Sequence, residues 1–347
     1  PALGKSAAPG HTGAARRRAG AGGGAVRLLF ITSTRIGDAV LSTGALGALL
    51  ARHPEARVSV VAGVPAAPLF RAVPGLEALI PLRKRRWNRH WPALWRQVAA
   101  RRWDVVVDLR ASPLAYLLRA GRRYVVGRRP GDEVHRVAEL GALLGLDPPP
   151  APRLWLDAAA RAQAAARLPE GQGPVLAVGP AANWAGKQWP AARFAETVAR
   201  LTAPDGPLPG APVAVLAAAG ERPQAAPLLD SLPAARCRDL VGALDLPEAA
   251  AVLERCRLFL GNDSGLMHLA AAAGTPTLGL FGPTPDGRYR PWGEHAAVVR
   301  TRESLADLRR RAADGTPPAR LMDGLDADSV LAAARDLLAR TETSLGG

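Results

Sequence analysis

Short apolar runs rich in β-branched residues recur along this chain, and segments with helical periodicity separate them. The runs at 26–32 (VRLLFIT), 57–62 (RVSVVA) and 104–109 (DVVVDL) are apolar on both sides of the strands they predict. Strands of this kind, alternating with helices, are typical of a parallel sheet that is covered on both faces. The pattern therefore predicts an α/β fold.

The alternation stops at the proline-rich segment 147–153 (DPPPAPR) and then begins again. The 347 residues of the chain suit two domains of about 150 residues each. We expect two doubly wound, Rossmann-like parallel-sheet domains, at 25–150 and 151–326, that face a central cleft. Residues 1–24 are expected to form a disordered basic tail.

The net charge of +15 arises entirely in the first half of the chain. Residues 1–150 contain 24 Lys and Arg against 9 Asp and Glu, whereas residues 151–347 contain 21 of each kind. Such an asymmetry indicates that the first half meets a large anionic partner. Nucleic acid, an anionic membrane surface and a phosphorylated glycolipid all fit, although the sequence contains no recognised nucleic-acid-binding motif.

No apolar stretch is long and unbroken enough to predict a membrane span or a signal peptide. The two cysteines, Cys237 and Cys256, form no CxxC pair and no metal-ligand cluster with the six histidines. These features indicate a protein of a reducing compartment, the cytoplasm, without a bound metal.

The segment 258–284 (LFLGNDSGLMHLAAAAGTPTLGLFGPT) predicts a phosphate site, because an apolar strand ends near Gly261 and a helix begins at Ser264. Unpaired backbone N–H groups at a helix start attract anions. Ser264 can add its hydroxyl, Gly265 permits close approach, and His268 lies one turn further along. The alternative is an ordinary helix cap, since Asp and Ser precede many helices.

Lys187 lies in a loop between a predicted strand and a helix that begins near Pro190. Ligands of open α/β sheets bind beyond the carboxyl ends of the strands, so this cation can pair with a diphosphate. Lys187 is also the only lysine after residue 84 in a chain that otherwise uses arginine. The alternative is a solvated surface lysine.

Asp38 follows Gly37 shortly after the first predicted strand, at the start of a helix. We expect Gly37 to allow a tight turn. A carboxylate at this position can accept a proton from a hydroxyl that lies in the interdomain cleft. The alternative is that Asp38 caps the helix and complements its dipole.

The segment 83–96 (RKRRWNRHWPALWR) interleaves basic residues with Trp87, Trp91 and Trp95, which recur at the spacing of one helical face. This combination fits lipid headgroups or a nucleic-acid backbone. The alternative is that the tryptophans pack into the domain core while the arginines are solvated.

These segments together resemble glycosyltransferase family 9, the lipopolysaccharide heptosyltransferases. The matching motifs are IGDAVLSTGAL at 36–46, KQWPAARF at 187–194 and GNDSGLMHLAAAAGTPTLGLFGPT at 261–284, and the strand at 104–109 adds a weaker likeness. The first domain departs from the family pattern twice: Gly44 stands where a proline often follows the threonine, and RASP at 110–113 replaces a more usual Gln-Gly or Arg-Gly.

The resemblance implies a GT-B fold with the donor nucleotide on the second domain, the acceptor on the first, and a last helix (327–347) that packs back toward the first domain. It implies inverting transfer of heptose from ADP-heptose to a lipopolysaccharide core acceptor, without a cofactor or metal. The positions that match functional residues of the family are Asp38 as general base, Lys187, Ser264 and Gly265 as diphosphate contacts, Asp263 as donor-sugar contact, Glu221 as ribose contact and His268 near the donor.

The basic first half then fits an acceptor that carries phosphates and carboxylates at the inner face of the cytoplasmic membrane. We expect a cytoplasmic protein that associates peripherally with this membrane and does not bind nucleic acid. The side chains expected to contact the acceptor are Arg35, Arg83, Lys84, Arg85, Arg86 and Arg110. Alternative functions are a GT-B transferase for a UDP- or GDP-sugar, a nucleic-acid-binding protein and a catalytically silent membrane-associated scaffold.

Overall fold

The structure, a computed structural model, describes residues 25–84, 86–171, 173–315, 317–318 and 321–345. The tail expected at 1–24 lies outside the described residues.

The first domain is a parallel sheet with helices on both faces. Its strands are β1 (Arg27–Ile31), β2 (Arg57–Gly63), β3 (Leu76–Leu82), β4 (Trp103–Asp108) and β5 (Ala120–Val125), in the spatial order β3-β2-β1-β4-β5. Its helices are α1 (Ile36–Arg52), α2 (His90–Val98), α3 (Leu114–Leu117) and α4 (Arg136–Leu144). Every strand pair in this sheet is parallel, as the apolar runs predicted.

The second domain repeats this architecture with six parallel strands. They are β6 (Leu176–Gly179), β7 (Val213–Val215), β8 (Cys237–Asp239), β9 (Leu258–Asn262), β10 (Thr277–Phe281) and β11 (Ala296–Arg300). Their spatial order, β8-β7-β6-β9-β10-β11, is that of doubly wound dinucleotide-binding sheets. The two parallel sheets confirm the predicted α/β fold.

Eight helices surround the second sheet. They are α5 (Ala158–Arg167), α6 (Ala191–Leu201), α7 (Arg222–Ser231), α8 (Leu246–Leu253), α9 (Gly265–Ala272), α10 (Asp286–Tyr289), α11 (Leu305–Ala313) and α12 (Ala327–Leu345), all within the described ranges.

The alternation of side chains along β1 divides the first domain into two apolar layers. Leu28 and Phe30 face α1, whereas Leu29 and Ile31 face α2 and α3 on the outer side of the sheet. The inner layer continues into the second domain, because the same apolar cluster includes Phe259 of β9 and residues of α8 and α9. The two domains therefore share one core at their interface.

The helices α1 and α9 pack against each other across the domain boundary. A β-carbon added to Gly265 would lie 2.8 Å from Cγ2 of Ile36, so only a glycine lets the two helices approach this closely. Gly37 lies inside the first turn of α1 with helical geometry and rests against His268. Its role is therefore close packing between domains, and the expected tight turn at Gly37 was wrong.

The last helix packs on the outer face of the second sheet. Val330, Ala334 and Leu337 of α12 are buried in one apolar cluster with residues of β9, β10 and α6. Their spacing of four and three residues forms an apolar stripe that covers this face of the sheet. The helix contacts α6, β10 and β11, so the expected packing back toward the first domain was wrong for its described part, Ala327–Leu345.

The three tryptophans after β3 do not share one helical face. Trp87 precedes α2, has φ +57 and is 88 % exposed, and Trp95 of α2 is 43 % exposed. Trp91 is partly buried and packs against the outer apolar cluster of the first domain. Packing into the core is therefore wrong for Trp87 and Trp95.

Candidate active site

A cavity of about 450 Å³ lies between the domains, where the carboxyl ends of both sheets face each other. It contains much of the site expected from the sequence. The expected residues that line it are Arg35, Asp38, Lys187, Glu221, Asp263, Ser264, Gly265 and His268.

Asp38 reaches the cavity from the first turn of α1. Arg35, not Asp38, occupies the N-cap position of this helix, and the cap has no side-chain hydrogen bond. The Asp38 carboxylate accepts only a long contact, 3.4 Å, from Oγ of Ser33 among the described residues. Asp38 therefore does not cap the helix, although its place in the first turn does complement the helix dipole. The carboxylate lines the cavity with oxygen atoms able to accept a proton.

The start of α9 lies opposite and presents an uncapped helix N-terminus. Ser264 is the N-cap residue, but its side chain does not bond the helix, and its buried Oγ has no hydrogen-bond partner among the described residues. The first backbone N–H groups of a helix have no intrahelical partner and carry the positive end of its dipole. This corner of the cavity is therefore built to receive an anion.

Lys187 is fixed at the edge of this corner by an ion pair. Its Nζ lies 2.6 Å from Oδ2 of Asp263, which is only 5 % exposed. The buried side chain of Asn262 holds the Lys187 loop beside β9, because its Oδ1 accepts a bond from Trp189 N and its Nδ2 donates to Pro180 O. Lys187 is therefore not a solvated surface lysine, and Asn262 is a positioning residue that the sequence patterns did not single out.

His268 is buried between charged groups of both domains. Burial lowers the pKa of its imidazole, which the carboxylates of Asp263 and Asp38 raise and the Lys187 ammonium lowers further. Burial is the largest of these effects, so the ring is neutral at neutral pH. Its Nδ1 is buried and has no hydrogen-bond partner among the described residues, and the residue lines the cavity.

A second cavity of about 310 Å³ adjoins the first and is mainly apolar. The two cavities share Glu221, Ser264 and Gly265, so they meet at the start of α9. The Glu221 carboxylate accepts a bond of 2.9 Å from Ala218 N, which holds it at this junction. The apolar lining comes from Pro65 and Pro68 of the first domain and from Leu216, Leu240, Leu244, Leu246 and Ala249 of the second. An apolar pocket beside an anion site fits the base and phosphates of a nucleotide.

Two arginines that the sequence motifs did not identify line the first cavity and share one acidic partner. Arg129 follows β5 of the first domain, and Arg309 lies on α11 of the second. Both bond the carboxylate of Asp132, at 2.7 and 3.0 Å. The position of Arg129 just beyond a carboxyl strand end was the available signal, whereas nothing local in the sequence links it to Arg309.

The remaining acceptor residues expected from the sequence have different surroundings. Arg83 and Lys84 line a groove of about 320 Å³ that shares Thr34 and Pro65 with the first cavity. Arg86 is exposed in a short turn, and Arg85 lies outside the described residues.

Arg110 is not among the residues that line the first cavity. Its guanidinium lies over the Trp91 ring, 5.2 Å from the ring centre. Burial lowers its pKa, and the buried Asp108 carboxylate partly opposes this shift. The loop after β4 is closed by bonds from Arg110 N and Ser112 N to Asp108, which turns the Arg110 side chain toward α2.

Within the described ranges, no group of three or more His, Cys, Asp or Glu side chains is arranged to hold a metal ion. None of the helices in the described part of the chain combines the length and hydropathy that a membrane-spanning segment needs.

Comparison with known proteins identifies the family. The model of glycosyltransferase family 9 (heptosyltransferase) matches residues 132–315, more than half of the chain. The chain is 26 % identical to lipooligosaccharide heptosyltransferase 2 of Haemophilus influenzae over 69 % of its own length and 68 % of that protein. It is 24 % identical to lipopolysaccharide heptosyltransferase 2 of Salmonella typhimurium, with 79 % and 88 % covered.

Solved structures confirm the fold. The crystal structure of a family 9 glycosyltransferase from Veillonella parvula superposes with a TM-score of 0.75, at 20 % identity, over 91 % of this chain and 98 % of that one. The ADP-heptose heptosyltransferase II of Escherichia coli superposes with a TM-score of 0.72, at 21 % identity, over 91 % and 100 %. The two parallel-sheet domains are thus those of the GT-B fold. Together with the family match and the motifs that line the interdomain cavity, this shows that the chain is a glycosyltransferase and belongs to family 9, the heptosyltransferases.

Proposed function

We propose that the protein transfers heptose from ADP-heptose to a lipopolysaccharide core acceptor, with inversion at the anomeric carbon. The observation that carries the proposal is that one interdomain cavity holds the Asp38 carboxylate on one side and Lys187 with the uncapped start of α9 on the other. The similar proteins bear the names of lipopolysaccharide and lipooligosaccharide heptosyltransferases, which supports the choice of sugar and acceptor.

In the proposed reaction, the acceptor hydroxyl oxygen attacks the anomeric carbon while its proton passes to the Asp38 carboxylate. The bond from the anomeric carbon to the diphosphate oxygen breaks, and its electron pair leaves with ADP. Lys187 and the backbone N–H groups at Ser264 and Gly265 stabilise the charge that develops on the leaving diphosphate. Fixed donors of this kind can replace a divalent cation, so we expect transfer to persist in EDTA.

Donor and acceptor are expected to occupy opposite domains. The apolar cavity beside Glu221 is proposed to bind the adenine and ribose, and Asp263 and His268 to lie near the donor sugar. The acceptor is proposed to be an anionic glycolipid held by basic residues of the first domain at the cytoplasmic face of the inner membrane. This division fits the location of the entire net charge in residues 1–150.

Replacing Asp38 tests the proposal directly. Asp38→Ala is expected to reduce transfer from ADP-heptose by about 10²–10⁴-fold, the range in which a general base contributes. ADP affinity is expected to stay unchanged, because Asp38 lies on the opposite side of the cavity from the diphosphate. Glu55→Ala, which removes an exposed carboxylate from the same domain, is the matched control. Retained transfer by Asp38→Ala would exclude it as the base.

A panel of nucleotides tests the identity of the donor. A true ligand raises the unfolding temperature by mass action, so ADP is expected to stabilise the protein more than UDP or GDP at equal concentration. A larger stabilisation by UDP or GDP would favour a transferase for another nucleotide sugar.

A further inference from the structure

The outer side of the first domain exposes large apolar side chains that no other part of the described chain covers. Trp87 is 88 % exposed, Tyr116 68 %, Leu117 67 % and Trp95 43 %. Single exposed apolar residues are common on proteins, but four large ones on neighbouring segments mark an interaction surface.

These residues lie on one side of the molecule because α2 and α3 cover the same face of the first sheet. Leu94 of α2 and Leu114 of α3 are buried in one apolar cluster with Leu29 and Ile31 of β1. Since the inner sides of both helices face the sheet, Trp95, Tyr116 and Leu117 are left on the outer side. We call the exposed residues Trp87, Trp95, Tyr116 and Leu117 the α2–α3 surface.

The α2–α3 surface is bordered by cations without acidic neighbours. Residues 78–103 contain eight Lys and Arg and no Asp or Glu. Arg101 pairs with Glu77 at 2.8 Å. The exposed side chains of this segment that form no ion pair with another described residue are Arg83, Lys84, Arg86, Arg89, Arg96 and Arg102. Some arginines elsewhere in the domain do have acidic partners, such as Arg136 with Glu139 at 2.6 Å and Arg129 with Asp132 at 2.7 Å. The surface therefore combines apolar side chains with uncompensated positive charge.

The surface also borders an entrance to the candidate active site. Arg83 and Lys84, at its edge, line the groove that shares Thr34 and Pro65 with the interdomain cavity. A molecule held against the α2–α3 surface can thus extend along the groove toward Asp38.

We propose that the α2–α3 surface docks on an anionic phospholipid membrane. Trp87, Trp95 and Tyr116 insert into the headgroup region with Leu117 reaching the acyl chains, and the surrounding cations contact lipid phosphates. An aliphatic side chain such as Leu117 gains from acyl chains but has no base to stack on, which favours a membrane over a nucleic acid. The inference rests on the proposed function only in that the acceptor is a membrane glycolipid.

Vesicle binding by the full-length protein tests the surface. We expect binding to vesicles of phosphatidylglycerol and phosphatidylcholine, little binding to phosphatidylcholine alone, and weaker binding at high salt. Trp95→Ser/Leu117→Ser is expected to lower the partition coefficient by roughly tenfold or more, because two apolar side chains no longer leave water. Trp184→Ser, which removes an aromatic residue with similar exposure from the second domain, is the control and should bind vesicles as the wild type does.

A charge-reversal pair separates the electrostatic contribution. Arg89→Glu/Arg96→Glu is expected to abolish the preference for anionic vesicles, whereas Arg167→Glu/Arg335→Glu, on exposed helix positions of the second domain, should retain it. An unchanged ADP-induced rise in unfolding temperature shows that each variant is folded. Because vesicle binding requires neither donor nor chemistry, its outcome is independent of the Asp38 test.

Two results would overturn the membrane proposal. One is vesicle binding by Trp95→Ser/Leu117→Ser equal to that of the wild type. The other is a wild type that shows no preference for anionic vesicles but binds duplex DNA, with DNA binding weakened in both Trp95→Ser/Leu117→Ser and Arg89→Glu/Arg96→Glu. This second result would assign the surface to nucleic acid.

Discussion

Gly37 and His268 meet across the gap between the two domains, where a β-carbon added to Gly37 would lie 2.7 Å from Cδ2 of the imidazole. One residue belongs to the helix that carries Asp38, and the other to the helix whose start forms the anion site. The contact therefore sets how closely the carboxylate and the anion site approach each other.

Gly37→Ala is expected to separate the two helices, because the buried imidazole cannot move aside without loss of packing. A displacement of about 1 Å in a catalytic site can cost about 10²-fold in rate, so we expect a fall in kcat/KM of that order. Initial transfer rates measure this fall. ADP affinity, measured in parallel, should change little.

Gly47→Ala is the matched control for Gly37→Ala. Gly47 lies in the same helix, and a β-carbon there would have its nearest neighbour, Cδ of Arg153, at an ordinary 3.6 Å. Alanine in a helix interior stabilises by about 0.5–1 kcal/mol relative to glycine, so this variant should be active and slightly more stable. Equal activities of the two variants would exclude the contact as a determinant of domain approach.

Lys187→Ala is expected to affect both stability and transfer. Asp263, 5 % exposed, loses its ion-pair partner, and an unpartnered buried acceptor costs about 1–3 kcal/mol. Transfer should fall by about 10²–10³-fold, because a fixed charge opposite the leaving diphosphate is lost.

The double variant Lys187→Ala/Asp263→Asn separates these two effects. Removal of the Asp263 charge should restore much of the stability lost in Lys187→Ala, measured as the midpoint of thermal unfolding. Transfer should remain low. Recovery of transfer together with stability would show that Lys187 acts only through the structure.

Arg129 and Arg309 are expected to bind an acidic group of the acceptor. Arg129 follows β5 and Arg309 lies on α11, which follows β11; both line the first cavity, and neither lines the apolar nucleotide pocket. Arg129→Ala and Arg309→Ala should each raise KM for the acceptor by about tenfold, as expected for the loss of a charge-assisted hydrogen bond. Arg302→Ala, on the second domain, is the exposed control. A matching loss of ADP affinity would instead assign the arginines to the donor.

His135 is expected to make stability depend on pH. Its Nδ1 accepts a bond from Val137 N at the start of α4, its Nε2 donates to Arg290 O of the second domain, and burial lowers its pKa from 6.5 to about 4. Between these values the unfolded chain binds the proton and the folded protein does not. The contribution of His135 to the free energy of unfolding should therefore be fully present above pH 6.5. It should decrease by roughly 3 kcal/mol as the pH falls toward 4.

His135→Asn tests this dependence while keeping a good helix cap. The free energy of unfolding of wild type and variant should converge as the pH is lowered, since only the wild type loses the His135 contribution. Parallel pH profiles of the two proteins would contradict the prediction. Burial also lowers the pKa of His268, so this residue reduces the stability of wild type and variant alike as the pH falls.

The sequence by itself determined the class of fold and the positions of most cavity residues. Asp38 follows β1, Lys187 follows β6 and Ser264 follows β9, and all parallel strands end on the same edge of a sheet. Local order along the chain was therefore enough to bring these side chains to the cleft. The predicted strands at 26–32, 57–62 and 104–109 correspond to β1, β2 and β4, because these runs are apolar and rich in β-branched residues. The helix expected to begin near Pro190 is α6. The apolar patterns did not predict the strand β8, because two of its three residues are charged.

Only the tertiary structure decided which surfaces meet. Periodicity marks the apolar side of α12 but not that this side covers the second sheet, and it cannot show that Trp87 stays exposed. Arg129 and Arg309 share the carboxylate of Asp132 although they lie in different domains. Such pairings depend on competition among all apolar and charged surfaces of the folded chain. The free energy that decides this competition is a property of the whole molecule and not of any local segment.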